Sequence, residues 1–273
     1  MRTLALKKNF LLLTVGIVIA IIAAVIIIRL SFAKATLNLA EKMGPRVRAS
    51  EILVKTASFL GTSDAKLSFY VGLWYHKNHE LVKAEKFYRQ AVTLDPKIAN
   101  THYQLARVYF IQGRFQPALA EVNNELMVNP ANYRSYYIRG LILGFIGKNK
   151  EAEADFKTFI KSPFSKETNG WGGYNDLAWV LLRQSKNEEA LKILKEAEKQ
   201  FPNNVWIENG LGGTYLALKN YKKSKEYYES ALEGARKLTI EDWLIAYPAH
   251  DPKAAEEGVK QVIKGIERNL SRL

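Results

Sequence analysis

The stretch NEEALKILKEAEKQFPNN, Asn187–Asn204, has helical apolar spacing, places Ala190 and Ala197 two turns apart and stops at Pro202. A helix facing only water does not need alanine at those two places. Small side chains on one stripe imply a second backbone close by. The same feature recurs along the chain: Ala84, Ala118 and Ala152 are 34 residues apart, and Ala190 follows after 38. Gly72, Ala106, Gly140, Ala178 and Gly212 repeat with the same steps. Pro96 and Pro130 keep the period, Pro163 falls one place early and Pro202 returns to register. The one slip of four residues falls in SPFSKETNG, residues 162–170, a loop where an insertion costs little.

Breakers divide each period into two helices. HYQLARVYFI reads as a first helix, QGR as a turn and FQPALAEVNNEL as a second; YNDLAWVLLR, QSKN and EEALKILKEAEKQ play the same parts later. This pattern resembles the tetratricopeptide repeat family, whose unit is a 34-residue helix–turn–helix. Its first half matches at Val71-Gly72 with Tyr75, Leu105-Ala106 with Tyr109, Arg139-Gly140, Leu177-Ala178 and Leu211-Gly212 with Tyr215. Its second half matches at Ala84/Tyr88/Pro96, Ala118/Val122/Pro130, Ala152/Phe156/Pro163, Ala190/Leu194/Pro202 and Ser224/Tyr228. The resemblance implies an all-α fold, an α-solenoid of stacked hairpins, with units over 65–98, 99–132, 133–166, 171–204 and 205–238.

The register fades at both ends. Stepping back from Ala84 and Ala91 lands on Ser50 and Ala57, so residues 31–64 read as a juxtamembrane linker and a partial leading repeat. Stepping forward lands on Ala246, Gly258 and Gly265, so residues 239–273 read as a degenerate repeat broken at Pro248 and closed by a capping helix. That helix has Asp251 as N-cap, Pro252 in its first turn and one apolar stripe, Val259, Val262, Ile263, Ile266 and Leu270.

The net charge of +13 suggests nucleic acid until its distribution is read. Residues 1–48 hold eight Lys/Arg against Glu41 alone, and these flank FLLLTVGIVIAIIAAVIII, residues 10–28. The repeats themselves are nearly balanced, which argues against nucleic-acid binding. A basic tail, 1–9, followed by an uncharged apolar segment reads as one transmembrane helix over 10–30. Such a segment is too long for a cleaved signal peptide, and Ser31-Phe32-Ala33 makes a poor cleavage site. The expected location is single-pass in a bacterial inner membrane. Basic residues ahead of the segment favour an extracytoplasmic repeat domain; a plain count of flanking charges points the other way.

Little catalytic chemistry is visible. There is no cysteine, hence no thiolate nucleophile or disulfide. His76 and His79 read as solvated turn residues, and His102 fills an aromatic slot of its repeat. His250 lies in a loop bounded by prolines. The glycines of GWGG, 170–173, and NGLGG, 209–213, have no strand before them, which argues against phosphate binding, and Gly212 is already explained by helix packing. The chain is therefore expected not to be an enzyme and to need no cofactor or metal.

Function is expected on a concave groove lined by first helices, as the resemblance implies. The candidate groove residues are Lys66 and Phe69, then Tyr103, Arg107 and Phe110, then Arg134 and Tyr137, then Asn175 and Trp179, then Asn209. Tyr, Trp and Arg dominate binding energy at desolvated contacts, and Asn bridges to a peptide backbone. The relatives that grip a C-terminal carboxylate place Lys and Asn where Phe69 and Leu73 stand here, so that specificity is not carried over. The expected function is a membrane-anchored scaffold that binds a protein or peptide partner. The alternative is a homotypic oligomer without a separate ligand.

Overall fold

The computed structural model describes residues 2–43, 48–60, 64–167, 169–247 and 254–273. Every regular element among them is helical, and no strand occurs. The chain divides into two compact units, Met1–Thr101 and His102–Leu273.

In the first unit, α1 runs unbroken from Arg2 to Met43, followed by α2 (Arg48–Leu60), α3 (Ala65–Lys77) and α4 (Leu81–Leu94). Thr14–Ala40 is a stretch of 27 residues with mean hydropathy 2.8, long and apolar enough to cross a membrane. Its upper part is bare: Ile19, Ile27 and Ile28 are 60%, 64% and 69% exposed. Its lower part is not. Ala33, Thr36, Leu37 and Ala40 are buried, and α1 packs along α2, where Val54 and Ala57 are buried in turn. The residues read as a juxtamembrane linker thus begin as a continuation of the same helix. Arg29 secures the junction, donating from Nη2 to the Phe59 carbonyl at 2.8 Å.

The second unit contains α5 (Thr101–Ile111, which begins at the last residue of the first), α6 (Phe115–Val128), α7 (Tyr133–Phe145) and α8 (Asn149–Ile160). There follow a 3₁₀ turn at Pro163–Lys166, then α9 (Trp171–Leu182), α10 (Asn187–Gln200), α11 (Val205–Ala217) and α12 (Tyr221–Ala235). A short α13 (Ile240–Ala246) and α14 (Ala255–Leu270) close the chain. Consecutive helices form hairpins, and each hairpin packs on the next.

The small residues sit against bulk in the partner helix of the same hairpin. A Cβ built on Gly72 would stand 2.7 Å from the Tyr88 ring; on Gly140, 2.8 Å from Phe156; on Gly212, 2.5 Å from Tyr228. Where the slot holds alanine, the residue sixteen positions on is smaller: Ala106 goes with Val122 and Ala178 with Leu194, all buried. Glycine therefore accompanies an aromatic ring and alanine an aliphatic side chain, which keeps the interhelical volume filled at constant spacing. The second-helix alanines, Ala84, Ala118, Ala152, Ala190 and Ala197, are all fully buried.

The hairpin turns repeat as well. Left-handed backbone occurs at His79, Gly113, Gly147, Ser185 and Lys219, which follow the repeat spacing. In each case this residue ends the first helix in the way glycine commonly does, so His, Ser and Lys carry a small conformational cost there.

One expectation needs correction. His76 is not a solvated turn residue: it is buried, with Nδ1 3.3 Å from the Tyr88 hydroxyl. The slip in the period lies in a connection between helices, where Pro163–Lys166 forms a 3₁₀ turn. Ser162 and Ser165 are buried there, and Gln200 donates to the Ser165 carbonyl at 2.9 Å. Pro248, His250, Asp251 and Pro252 lie outside the described residues, as does the side chain of Ser50. From Ala255 onward α14 packs on α12, with Ile266 buried and Val262, Ile263 and Leu270 partly covered. Gly258 lies tight against Trp243, whereas Gly265 faces open space.

One ionic network joins successive hairpins. Glu153 of α8 accepts from Lys157 at 2.6 Å and from Lys186 and Gln184, across the next turn, at 2.8 Å each. Burial would raise its pKa, but the donors from Lys157, Lys186 and Gln184 outweigh that and hold it at about 2. The folded value lies below the ordinary 4.5, so the contribution is complete above that pH and lost as pH falls toward 2. Glu153→Gln is expected to lower stability at pH 7 by roughly 1–3 kcal/mol, with the difference from the parent closing as pH approaches 2 in denaturant titrations. Gly140→Ala is expected to cost about 1–3 kcal/mol despite the better helix propensity of alanine. Adding Phe156→Leu should recover most of that loss, so a double-mutant cycle by chemical denaturation reads the coupling directly.

Candidate partner-binding face

The first helices α5, α7, α9 and α11 carry the candidate residues of the second unit. Lys66 and Phe69 belong to the first unit. There Lys66 is exposed, while the Phe69 ring lies 6.0 Å from Tyr88 and forms part of its own hairpin's packing.

On α5, Tyr103, Arg107 and Phe110 are all half-buried. Arg107 donates to Gln104 at 2.9 Å, and its guanidinium carbon lies 5.7 Å from the Tyr103 ring centre. Phe110 meets Phe145 of α7 edge-on at 5.6 Å, and Phe145 meets Trp179 of α9 at 5.7 Å. Arg183 ends this row, its guanidinium carbon 5.1 Å from the Trp179 ring centre and Nη1 3.4 Å from the Gly144 carbonyl. Trp179 comes this close because residue 144 is glycine; a Cβ there would stand 2.6 Å from the indole. The outcome is an aromatic row with a guanidinium at its Trp179 end; Phe115 of α6 stacks on Phe145 at 5.8 Å, and Phe145 is still 56% exposed.

The other candidates are engaged within the unit. Arg134 pairs with Glu167 at 3.1 Å and lies over the Phe164 ring. Asn175 packs against Gly210, and Asn209 accepts from Asn269 of α14 at 3.2 Å. Tyr137 donates its hydroxyl to Asp176 Oδ2 at 2.8 Å. These four side chains hold neighbouring elements together, and sequence spacing alone does not reveal that.

Asp176 is the feature that spacing misses. Burial raises its carboxyl from the ordinary 3.8 to about 7, against the lowering effect of the Tyr137 hydrogen bond. Beside it, the indoles of Trp171 and Trp206 stack at 4.7 Å and 14°. Tyr247, just past α13, stands edge-on to both, 6.5 Å from Trp171 and 5.9 Å from Trp206. Burial, with the Asp176 charge adding to it, pushes the Tyr247 hydroxyl up to about 12. Burial and then the same charge raise Tyr137 well above its ordinary value. A legible signal existed: Asp176 is the one acid in WGGYNDLAWVLL.

Among the described residues no group of three His, Asp or Glu side chains has the geometry to hold a metal ion. An open cleft of about 270 Å³ lies between α11 and α14, lined in part by Trp206, Asn209, Tyr247, Val262 and Asn269.

Comparison with known proteins agrees with this architecture. Residues 133–163 and 181–239 each match a family model described as tetratricopeptide repeat, so the chain carries such repeats. The crystal structure of YrrB, a TPR protein with an unusual peptide-binding site, is similar with a TM-score of 0.56 at 20% identity, over 67% of this chain and 93% of that one. The structure of PilW, a widely conserved type IV pilus biogenesis factor, is similar with a TM-score of 0.58 at 16% identity, over 76% and 92%. Anaphase-promoting complex subunit 3 of Schizosaccharomyces pombe is 23% identical over 171 residues, 61% of this chain and 25% of that protein. The chain spans a quarter or less of the length of the curated relatives it matches.

The raised Asp176 value sets a pH dependence. Between pH 3.8 and about 7 the folded chain holds a proton that the unfolded chain has released, so stability falls as pH rises through that window. Asp176→Asn keeps an acceptor for Tyr137 and removes the charge. The variant is expected to be more stable than the parent at pH 8, by on the order of 2–4 kcal/mol, with the gap narrowing toward pH 4 in thermal or urea melts.

Proposed function

We propose that this chain is a membrane-tethered scaffold whose first-helix groove captures an extended or helical segment of a partner protein. The observation that carries this reading is the row Phe110–Phe145–Trp179, closed at one end by Arg183, with Tyr103 and Arg107 on the same helix as Phe110. Aromatic side chains and arginine contribute heavily to binding when a partner excludes water from them. Phe145 stacks on Phe115 and keeps more than half of its surface open to a partner.

The apolar part of α1 supplies the tether. Its exposed isoleucines find a favourable surrounding in hydrocarbon, and one such helix suffices to hold a chain in a bilayer. The basic residues before it place the repeats on the extracytoplasmic side of a bacterial inner membrane under this reading. The pilus-biogenesis role printed for PilW makes assembly or stabilisation of an envelope complex the favoured setting. The groove comprises Tyr103, Arg107 and Phe110 with Phe145 and Trp179. Arg134, Tyr137, Asn175 and Asn209 shape its wall; Lys66 and Phe69 are candidate contacts of the first unit taken by itself.

The test is crosslinking and affinity purification of the full-length protein from its native membrane. A Tyr103→Ala/Arg107→Glu/Phe145→Ala variant is expected to lose captured partners at least tenfold while its helical circular dichroism stays intact. Undiminished capture by that variant overturns the assignment.

A further inference from the structure

The first-helix face of the second unit already holds one ligand-like group, and it comes from the chain itself. Tyr247 is seated against the stacked indoles of Trp171 and Trp206, with Trp243 5.0 Å behind it. Asp176, bridged to Tyr137 at 2.8 Å, lies near enough for its charge to act on the Tyr247 hydroxyl. Two flat rings meeting the edge of a third, with an oxygen acceptor nearby, are complementary to a phenol.

The segment that delivers Tyr247 is short, and its other visible hold is Trp243, buried against Gly258 of α14. Helix α13 is seven residues long, where the complete first helices from α5 to α11 run to 11–13. Its Ile240 and Ile245 are 50% and 48% exposed, so half of its apolar surface gains nothing from its present position. A capping box starts it, with Thr239 accepting from the Asp242 backbone N–H at 3.1 Å and Asp242 accepting from the Thr239 N–H at 2.8 Å, so it has local reasons to be helical. The cleft beside Trp206, Asn209 and Tyr247 leaves room for a larger occupant. The subsite is built into α7, α9 and α11; its occupant is a short helix that also rests on α14 through Trp243.

We propose that Trp171, Trp206 and the Asp176–Tyr137 bridge form a subsite for a tyrosine carried on a short helix of a partner protein, held by the chain's own Ile240–Tyr247 until such a segment displaces it. This deepens the scaffold reading and rests on it for the identity of the face. The partner segment has the chemistry that α13 displays: an acidic start, as at Glu241-Asp242, then an apolar turn ending in tyrosine. Displacement is an exchange of like for like: Trp171 is already buried and Trp206 half-buried, so little new aromatic surface has to be desolvated. Affinity is reduced by the fraction of time the internal segment occupies the subsite.

The probe is a fluorescently labelled peptide of residues 239–247, TIEDWLIAY, added to the full-length protein in detergent and followed by anisotropy. The Tyr247→Ala protein is expected to bind it at least tenfold more tightly than the parent, whose own segment competes. A peptide with alanine at its last position should bind the variant at least tenfold more weakly, and Trp206→Ala in the variant background should abolish binding. Should Tyr247→Ala fail to fold, Tyr247→Leu takes its place, keeping apolar bulk without the ring. Equal binding by parent and variant, or no preference for the terminal tyrosine, overturns the subsite. In the native membrane, Tyr247→Ala should raise partner capture severalfold. Peptide binding with unchanged capture overturns displacement by a partner yet leaves the scaffold reading standing, which the groove variant tests by a different readout.

Discussion

The fold depends on one close approach, repeated: a first-helix backbone lying against a second-helix side chain at a place where a Cβ has little or no room. Gly72, Gly140 and Gly212 meet Tyr88, Phe156 and Tyr228 there. Ala106 and Ala178 occupy the same slots opposite Val122 and Leu194. Five hairpins solve one volume problem in two ways. Because the sum is conserved, hairpins of different composition keep a common spacing, and the next one finds a surface that fits. Glycine in mid-helix costs about 1 kcal/mol in propensity, and the buried ring it admits offsets that loss.

That regular spacing is what leaves a face available. With the hairpin cores satisfied internally, side chains on the outer stripe of α5, α7 and α9 are released from packing duty and can be chosen for contact. The row from Phe110 through Phe145 to Trp179 uses this freedom at one edge. Farther along, Trp171, Trp206 and Asp176 use it differently, spending part of the second unit's stability on a half-buried acid whose carboxyl stays protonated up to about neutral pH. Its hydrogen bond from Tyr137 ties α9 to α7 at that cost.

Much of the architecture was legible because it is encoded by period. Small residues at steps of 34, with one step of 38, locate the hairpins without any knowledge of contacts, and the left-handed turn residues from His79 to Lys219 keep the same beat. The candidate face was legible only in part. Spacing says which residues share a helix face, not what a neighbouring loop or helix brings to them. Arg134 was expected to await a ligand, yet Glu167 of the inserted turn reaches it; Asn209 is met by Asn269 from a helix 60 residues away in sequence. Gly212 was legible as a packing position, whereas the close fit of Gly173 against Phe159, and Trp171 beside it, were not. His76 was placed in water because its position near a helix end says nothing of the Tyr88 hydroxyl that covers it.

The unbroken course of α1 has a mechanical meaning. A helix is stiff over this length, and Ala33, Leu37 and Ala40 are locked against α2 on the same rod that bears the exposed isoleucines. Each residue advances about 100° around the axis, so the azimuth of the apolar segment dictates the azimuth of the leading hairpin. Whatever sets the roll and tilt of that segment, such as bilayer thickness or a neighbouring span, steers α2 as a tiller steers a rudder.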